Sequence, residues 1–179
     1  MVRPVPDAYH EHGTPDTPVA VARARHQHKR YIRELARAGL EVETAPPAHD
    51  LLDSVFIEDP AVVVGERALV ASMQGDRAGE AEGVANALAD THDVVRAPDG
   101  ALLEGGDVLH LPGCTYVGKS RRTNEAGRAA LREFLPPDRP LFEVEVSGAL
   151  HLKTAATYLG DDTLWLNIAH VDPDEFHQH

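Results

Sequence analysis

The stretch "LLEGGDVLHLPGCTYVGKSRRTNEAGRAALREFLPPDRPLFEVEV" (residues 102–146) decides how the chain is read. It opens on a carboxylate and two glycines inside an apolar run. Two short strands follow, "DVLHL" and "CTYVG", turned by Pro112-Gly113. Asn124 then caps a predicted helix, "NEAGRAALREFL", which the Pro136-Pro137 pair stops before a third strand, "LFEVEV". The order is strand, strand, helix, strand.

The same order precedes this stretch. "AVVV" and "ALVA" flank Gly65-Glu66-Arg67, the helix "GEAEGVANALADTH" follows, and "DVVRAP" closes the unit. A third copy begins with "AATYL" and "TLWLN" around Gly160-Asp161-Asp162. Repetition of one supersecondary unit signals a modular, symmetric α/β fold. Polar landmarks keep the register, since Asp59 lies 45 residues before Glu104 (104 − 59 = 45) and His151 lies 47 after it (151 − 104 = 47). Each landmark sits at or just before the first strand of its module. Rotational symmetry would bring an Asp, a Glu and a His together around one axis, and Gly105 and Gly106 would permit unusual backbone angles or close approach beside the carboxylate.

Upstream, Asp16-Thr17-Pro18 is a helix-start pattern and Gly39 a stop, predicting a long helix between them, followed by a short strand over "LEVETA" (40–45). Near the other end, Asp172-Pro173 predicts a helix start. The third module is thus expected to be unfinished, leaving sheet edges open to self-association.

Composition narrows the function classes. With 29 Asp plus Glu against 17 Lys plus Arg, the formal net charge is −12, and such a surface repels nucleic acid and anionic membrane. No window is apolar enough to span a bilayer, the polar N-terminus lacks a signal-peptide core, and the single cysteine, Cys114, cannot form an intrachain disulfide; the expectation is a cytoplasmic protein. The histidine-dense strings "HEH" (10–12), "HQH" (26–28) and "HQH" (177–179) do not make a metal site, because residues two apart on a helix face different ways and no cysteine pair completes a zinc pattern.

Four strings, "DSVFIEDPAVV" (53–63), "LLEGGDVL" (102–109), "VGKSRRTNEAG" (117–127) and "HLKTAATYLGDDTLW" (151–165), together resemble the dimethylarginine dimethylaminohydrolases of the guanidine-modifying pentein superfamily. The resemblance implies a pentein-type αβ propeller of ββαβ modules, of which residues 1–179 would supply about three of five as a single incomplete domain. It also implies hydrolysis of an Nω-methylated arginine to citrulline and methylamine or dimethylamine, without metal or organic cofactor.

Position by position, Asp59 corresponds to the carboxylate that grips the substrate guanidinium, with Glu58 beside it. A planar cation with several N–H donors is best held by paired, charge-assisted hydrogen bonds. His151 corresponds to the general acid/base and Glu104 to the residue orienting it. Asp53 corresponds to the contact with the substrate α-amino group, and Arg77 and Arg122 to the pair binding the α-carboxylate. Arg77 requires a one-residue gap in the match. Lys153, in "HLKT", stands where arginine deiminases and amidinotransferases carry an aspartate, which favours the dimethylarginine branch over a deiminase. The family nucleophile is a cysteine in the last module, expected to lie beyond these 179 residues, so the chain alone is expected to be inactive. Cys114, inside a hairpin, reads as a packed apolar residue. The rival reading is a non-catalytic pentein that binds methylarginines.

Overall fold

The computed structural model describes residues 1–176. The expected terminal "HQH" (177–179) lies outside the described residues.

The first module forms as expected. Strands β1 (Ala61–Val64) and β2 (Arg67–Val70) pair antiparallel with Ala61 opposite Val70, turning at Gly65, whose φ of 59° lies in the left-handed region. Helix α1 (Val21–Arg37) precedes this module; helix α2 (Ala78–Leu88) returns the chain so that β3 (Asp93–Arg96) lies parallel to β2. The second module repeats this plan with β4 (Val108–Leu111) antiparallel to β5 (Cys114–Lys119), helix α3 (Glu125–Phe134), and β6 (Leu141–Glu145) parallel to β5. The third contributes the four-residue helix α4 (Leu152–Ala155) and the antiparallel pair β7 (Ala156–Gly160) and β8 (Thr163–Leu166). Asp161 and Asp162 both take positive φ, 47° and 53°, as a tight hairpin turn demands. The three small sheets make a partial αβ propeller.

Apolar side chains from adjacent modules meet between the sheets. Val62, Leu69, Leu103, Val117 and Phe134 form one cluster, which joins the first module to the second. Leu109, Tyr116, Val144, Leu152 and Phe176 form another, which joins the second to the third. Each sheet is thus fixed by its neighbour's apolar face, and the modules' polar N-terminal ends are left to meet one another.

Two upstream expectations change. Helix α1 spans Val21–Arg37, beginning after Pro18 rather than at it. Thr14 and Thr17 instead close a turn on each other, with reciprocal backbone bonds of 3.1 Å and a 2.7 Å hydroxyl contact, which uses up the capping groups before the helix begins. Gly39 ends the helix with φ 86°, as its sequence position implies. "LEVETA" makes one isolated parallel bridge, Thr44 to Val2, instead of a strand, because no partner strand lies alongside it. The predicted start at Asp172-Pro173 becomes a 3-10 turn, Pro173–Phe176, with Asp172 Oδ1 accepting from the Asp174 N–H at 3.0 Å.

Candidate active site

The two glycines of "LEGGD" act through close approach alone, since neither has positive φ. Glu104 is extended, and Gly105–Asp107 then makes a single 3-10 turn. The Gly105 N–H donates to the Asp59 carbonyl at 2.8 Å, and a Cβ on Gly105 would stand 2.1 Å from the Glu58 carbonyl oxygen. Only glycine lets the 58–59 loop lie against this turn. One residue on, a Cβ on Gly106 would meet His151 Nδ1 at 2.6 Å and Asp59 Oδ1 at 3.0 Å. The glycine pair therefore makes room for both landmark side chains.

Asp59, Glu104 and His151 converge, with one polar atom of each lying within 4.8 Å of the others. His151 Nε2 is 2.8 Å from Glu104 Oε2, and Glu104 is fully buried. Burial disfavours the imidazolium, yet the Glu104 hydrogen bond and the fields of Asp59 and Asp107 outweigh it and raise the His151 pKa. For Glu104 the signs reverse. Burial raises its pKa, but His151, Arg122 and Arg77 together hold it below the usual carboxylate range. Both shifts favour the charged forms of the pair.

Asp107, which sequence reasoning passed over, underlies this arrangement. It is wholly buried, and its Oδ2 accepts from Ser120 Oγ at 2.5 Å and Thr123 Oγ1 at 2.6 Å while Oδ1 accepts from the Leu152 N–H at 2.9 Å. Burial pushes its carboxyl pKa up against these donors. By holding the backbone next to His151, Asp107 ties the third module to the second. Its spacing of three after Glu104 was the available signal.

The remaining expected residues are placed as follows. Arg122 donates from Nη1 to Glu104 Oε1 at 3.1 Å. Arg77, in the turn Gly75–Arg77 before α2, donates from Nη1 to Asp59 Oδ2 at 3.0 Å and to Glu104 Oε2 at 3.3 Å. Its Nε and Nη2 engage Glu80, the shortest contact being 2.8 Å. Glu80 is buried, was not anticipated, and has its pKa raised by that burial despite Arg77. Asp53 lies 3.0 Å from His12 Nε2 and 3.7 Å from Arg77 Nε. Glu58 turns outward to Lys153 Nζ at 2.6 Å, apart from the central group.

Asp53, Glu58, Asp59, Arg77, Arg122 and His151 all line one open cavity of about 1130 Å³. Its chemistry is that of a cation holder beside a carboxylate-bound histidine. The Asp59, Glu104 and His151 atoms are close enough to share one divalent ion, but Arg77 Nη1 already donates to both carboxylates. Cys114 is buried in the second apolar cluster, where loss of solvent raises its thiol pKa against the opposing field of Arg139.

No family model matches the chain. Among curated proteins, it is 40% identical over 147 residues to an N(G),N(G)-dimethylarginine dimethylaminohydrolase of Streptomyces coelicolor, covering 79% of this chain and 55% of that protein. It is 30% identical over 168 residues to the protein of the same name from Pseudomonas aeruginosa, covering 92% and 65%. The chain thus spans between about half and two thirds of the length of these relatives. Among solved structures, the Pseudomonas aeruginosa protein, as a cysteine-to-serine mutant complexed with citrulline, matches with a TM-score of 0.81 at 28% identity over 91% of this chain and 66% of that one. The N-terminal domain of ArgZ, an arginine dihydrolase from cyanobacteria, matches with a TM-score of 0.84 over 99% and 68%, and at 18% identity it attests the fold alone. With modules, register and sequence all in agreement, the chain belongs to the pentein superfamily, on its dimethylarginine dimethylaminohydrolase branch.

Proposed function

We propose that the chain supplies the guanidinium-holding and acid/base part of an amidine hydrolase that converts Nω-methylated arginine to citrulline and methylamine or dimethylamine. The observation that carries this reading is the buried Glu104–His151 pair beside Asp59 at the wall of the cavity. Asp59 would grip the guanidinium, with Glu58 at the rim, Asp53 would meet the α-ammonium, and Arg122 and Arg77 the α-carboxylate.

In this reading a cysteine thiolate from outside the 179 residues attacks the guanidinium carbon. His151, as imidazolium, gives its proton to the departing amine as the C–N bond breaks. Neutral His151 then takes a proton from water, whose oxygen adds to the thiouronium carbon. Collapse expels the thiolate, the added oxygen loses its remaining proton to the released amine, and citrulline is left. No metal or organic cofactor enters the scheme. The buried, high-pKa Cys114 supports an external nucleophile.

The second reading, a methylarginine-binding pentein without turnover, rests on that same cysteine and uses the same cradle. The test is calorimetric titration with Nω,Nω-dimethylarginine beside a citrulline assay. The expected result is binding that Asp59→Asn weakens about tenfold or more, with no citrulline from the chain alone. Absence of binding would overturn the substrate, and citrulline from the chain alone would overturn the external nucleophile.

A further inference from the structure

Arg77 carries a guanidinium, and it is held by the carboxylate proposed above to grip the substrate's guanidinium. Its Nη1 reaches Asp59 Oδ2 at 3.0 Å and Glu104 Oε2 at 3.3 Å, the latter being the oxygen that also receives His151. The opposite edge of the same group, Nε and Nη2, is forked onto buried Glu80 at 3.2 and 2.8 Å. Glu80 sits three residues along, in the first turn of α2, so this fork is local to the segment that carries Arg77. The two edges therefore have separate roles. Glu80 anchors the arginine and Nη1 reaches into the slot; because the guanidinium is planar and rigid, Nη1 can leave only when the whole group turns on its Glu80 contact.

A carboxylate receives a guanidinium most strongly through two parallel bonds, one to each oxygen. While Nη1 holds Asp59 Oδ2, a second guanidinium can have only Oδ1, and it must then lie against a like charge. We infer that Arg77 is an internal occupant of the guanidinium slot, withdrawn from Asp59 and Glu104 only when a ligand brings both a guanidinium to replace it and an anion to receive it.

The inference rests on the proposed function and adds a condition to it. Arg77 Nη1 would leave two carboxylates and gain the ligand's one, so it keeps an anionic partner. A guanidine without a carboxylate offers no such exchange. On Asp59 and Glu104, Arg77 neutralises carboxylates that would otherwise face one another in a largely buried space, a costly arrangement.

The test compares Nω-methylarginine with methylguanidine, which has no carboxylate, by calorimetry on the wild type, Arg77→Gln and Arg77→Lys. Lysine keeps a cation for Glu80 but has no second arm for Asp59. It carries the test if the glutamine variant does not fold. An arginine that only binds α-carboxylate predicts a loss for methylarginine and no change for methylguanidine. Internal occupancy predicts that methylguanidine gains about tenfold in both variants while methylarginine weakens. If methylarginine binds the wild type and methylguanidine gains nothing in either variant, the occupancy is overturned and the proposed function stands. If methylguanidine gains but methylarginine binds none of the three proteins, the occupancy stands and the proposed substrate falls. If neither ligand binds any of them, both fall.

Discussion

A methyl group on Gly106 would stand 2.6 Å from His151 Nδ1, well inside van der Waals contact, although the backbone there is not of the left-handed kind. Gly106→Ala should therefore leave the chain folded and push the imidazole off Glu104. Burial would then act against a weaker counterweight, the fields of Asp59 and Asp107 alone, so the His151 pKa should drop from its raised value, as read by NMR titration. An unchanged titration would mean that the site yields elsewhere. Asp107 makes a different prediction. Its three accepted bonds need two carboxylate oxygens, and an amide would turn a donor toward donors. Asp107→Asn should destabilise by about 2–3 kcal/mol in urea melts.

At the scale of elements, helix α3 was the most legible, because its start is decided locally. Asn124 Oδ1 accepts from the Gly127 N–H at 2.8 Å and the Leu102 N–H at 3.0 Å, while Nδ2 donates to the Gly100 carbonyl at 2.8 Å. One side chain both caps the helix and binds the strand-like segment leading to Glu104. Its neighbour Gly127 packs so closely that a Cβ would lie 1.9 Å from the Leu102 carbonyl oxygen. Gly127→Ala should lower stability by about 3 kcal/mol, and it should shift the 102–104 segment that carries Glu104, a change visible as altered amide exchange there. Helix α1 was harder to bound. Its apparent capping sequence was consumed by the Thr14–Thr17 turn, a competition between two local solutions that composition does not rank. The alternating "LEVETA" failed as a strand for a nonlocal reason, since a strand exists only where a partner lies.

For the molecule as a whole, the Glu104–His151 pair is a joint between the second and third modules, and its charge makes the joint pH-dependent. A histidine whose folded pKa is raised contributes stability that is complete below its unfolded value, near 6.5, and is lost as pH rises through the folded value. The stability advantage of the wild type over His151→Gln should accordingly be largest at or below pH 6.5 and shrink above it. Urea melts across that range read the difference. Subtraction cancels the separate contribution of His110, whose pKa burial, Arg139 and Lys153 lower to about 4. The third module also exposes Leu159, Trp165 and Ile168, Trp165 to 71%. We propose this apolar surface of β7, β8 and the residues just after them as the contact through which the chain self-associates. Sedimentation that depends on concentration in the wild type and not after replacing Trp165 and Ile168 with Glu would support it, and wild-type sedimentation independent of concentration would overturn it.

The sequence by itself determined the module order, the turn residues and the three landmark positions, because each depends on neighbours a few residues away or on a repeat visible along the chain. It also carried the family resemblance through strings that keep their order and spacing. Only the tertiary structure decided what the landmarks touch. That Glu58 turns out to Lys153, that Glu80 and Asp107 support the site from behind, and that Arg77 lies on Asp59 follow from contacts between segments, some far apart in the chain. A carboxylate's partner is set by which cation the folded backbone brings within about 3 Å of it, and that distance exists only once the modules have packed.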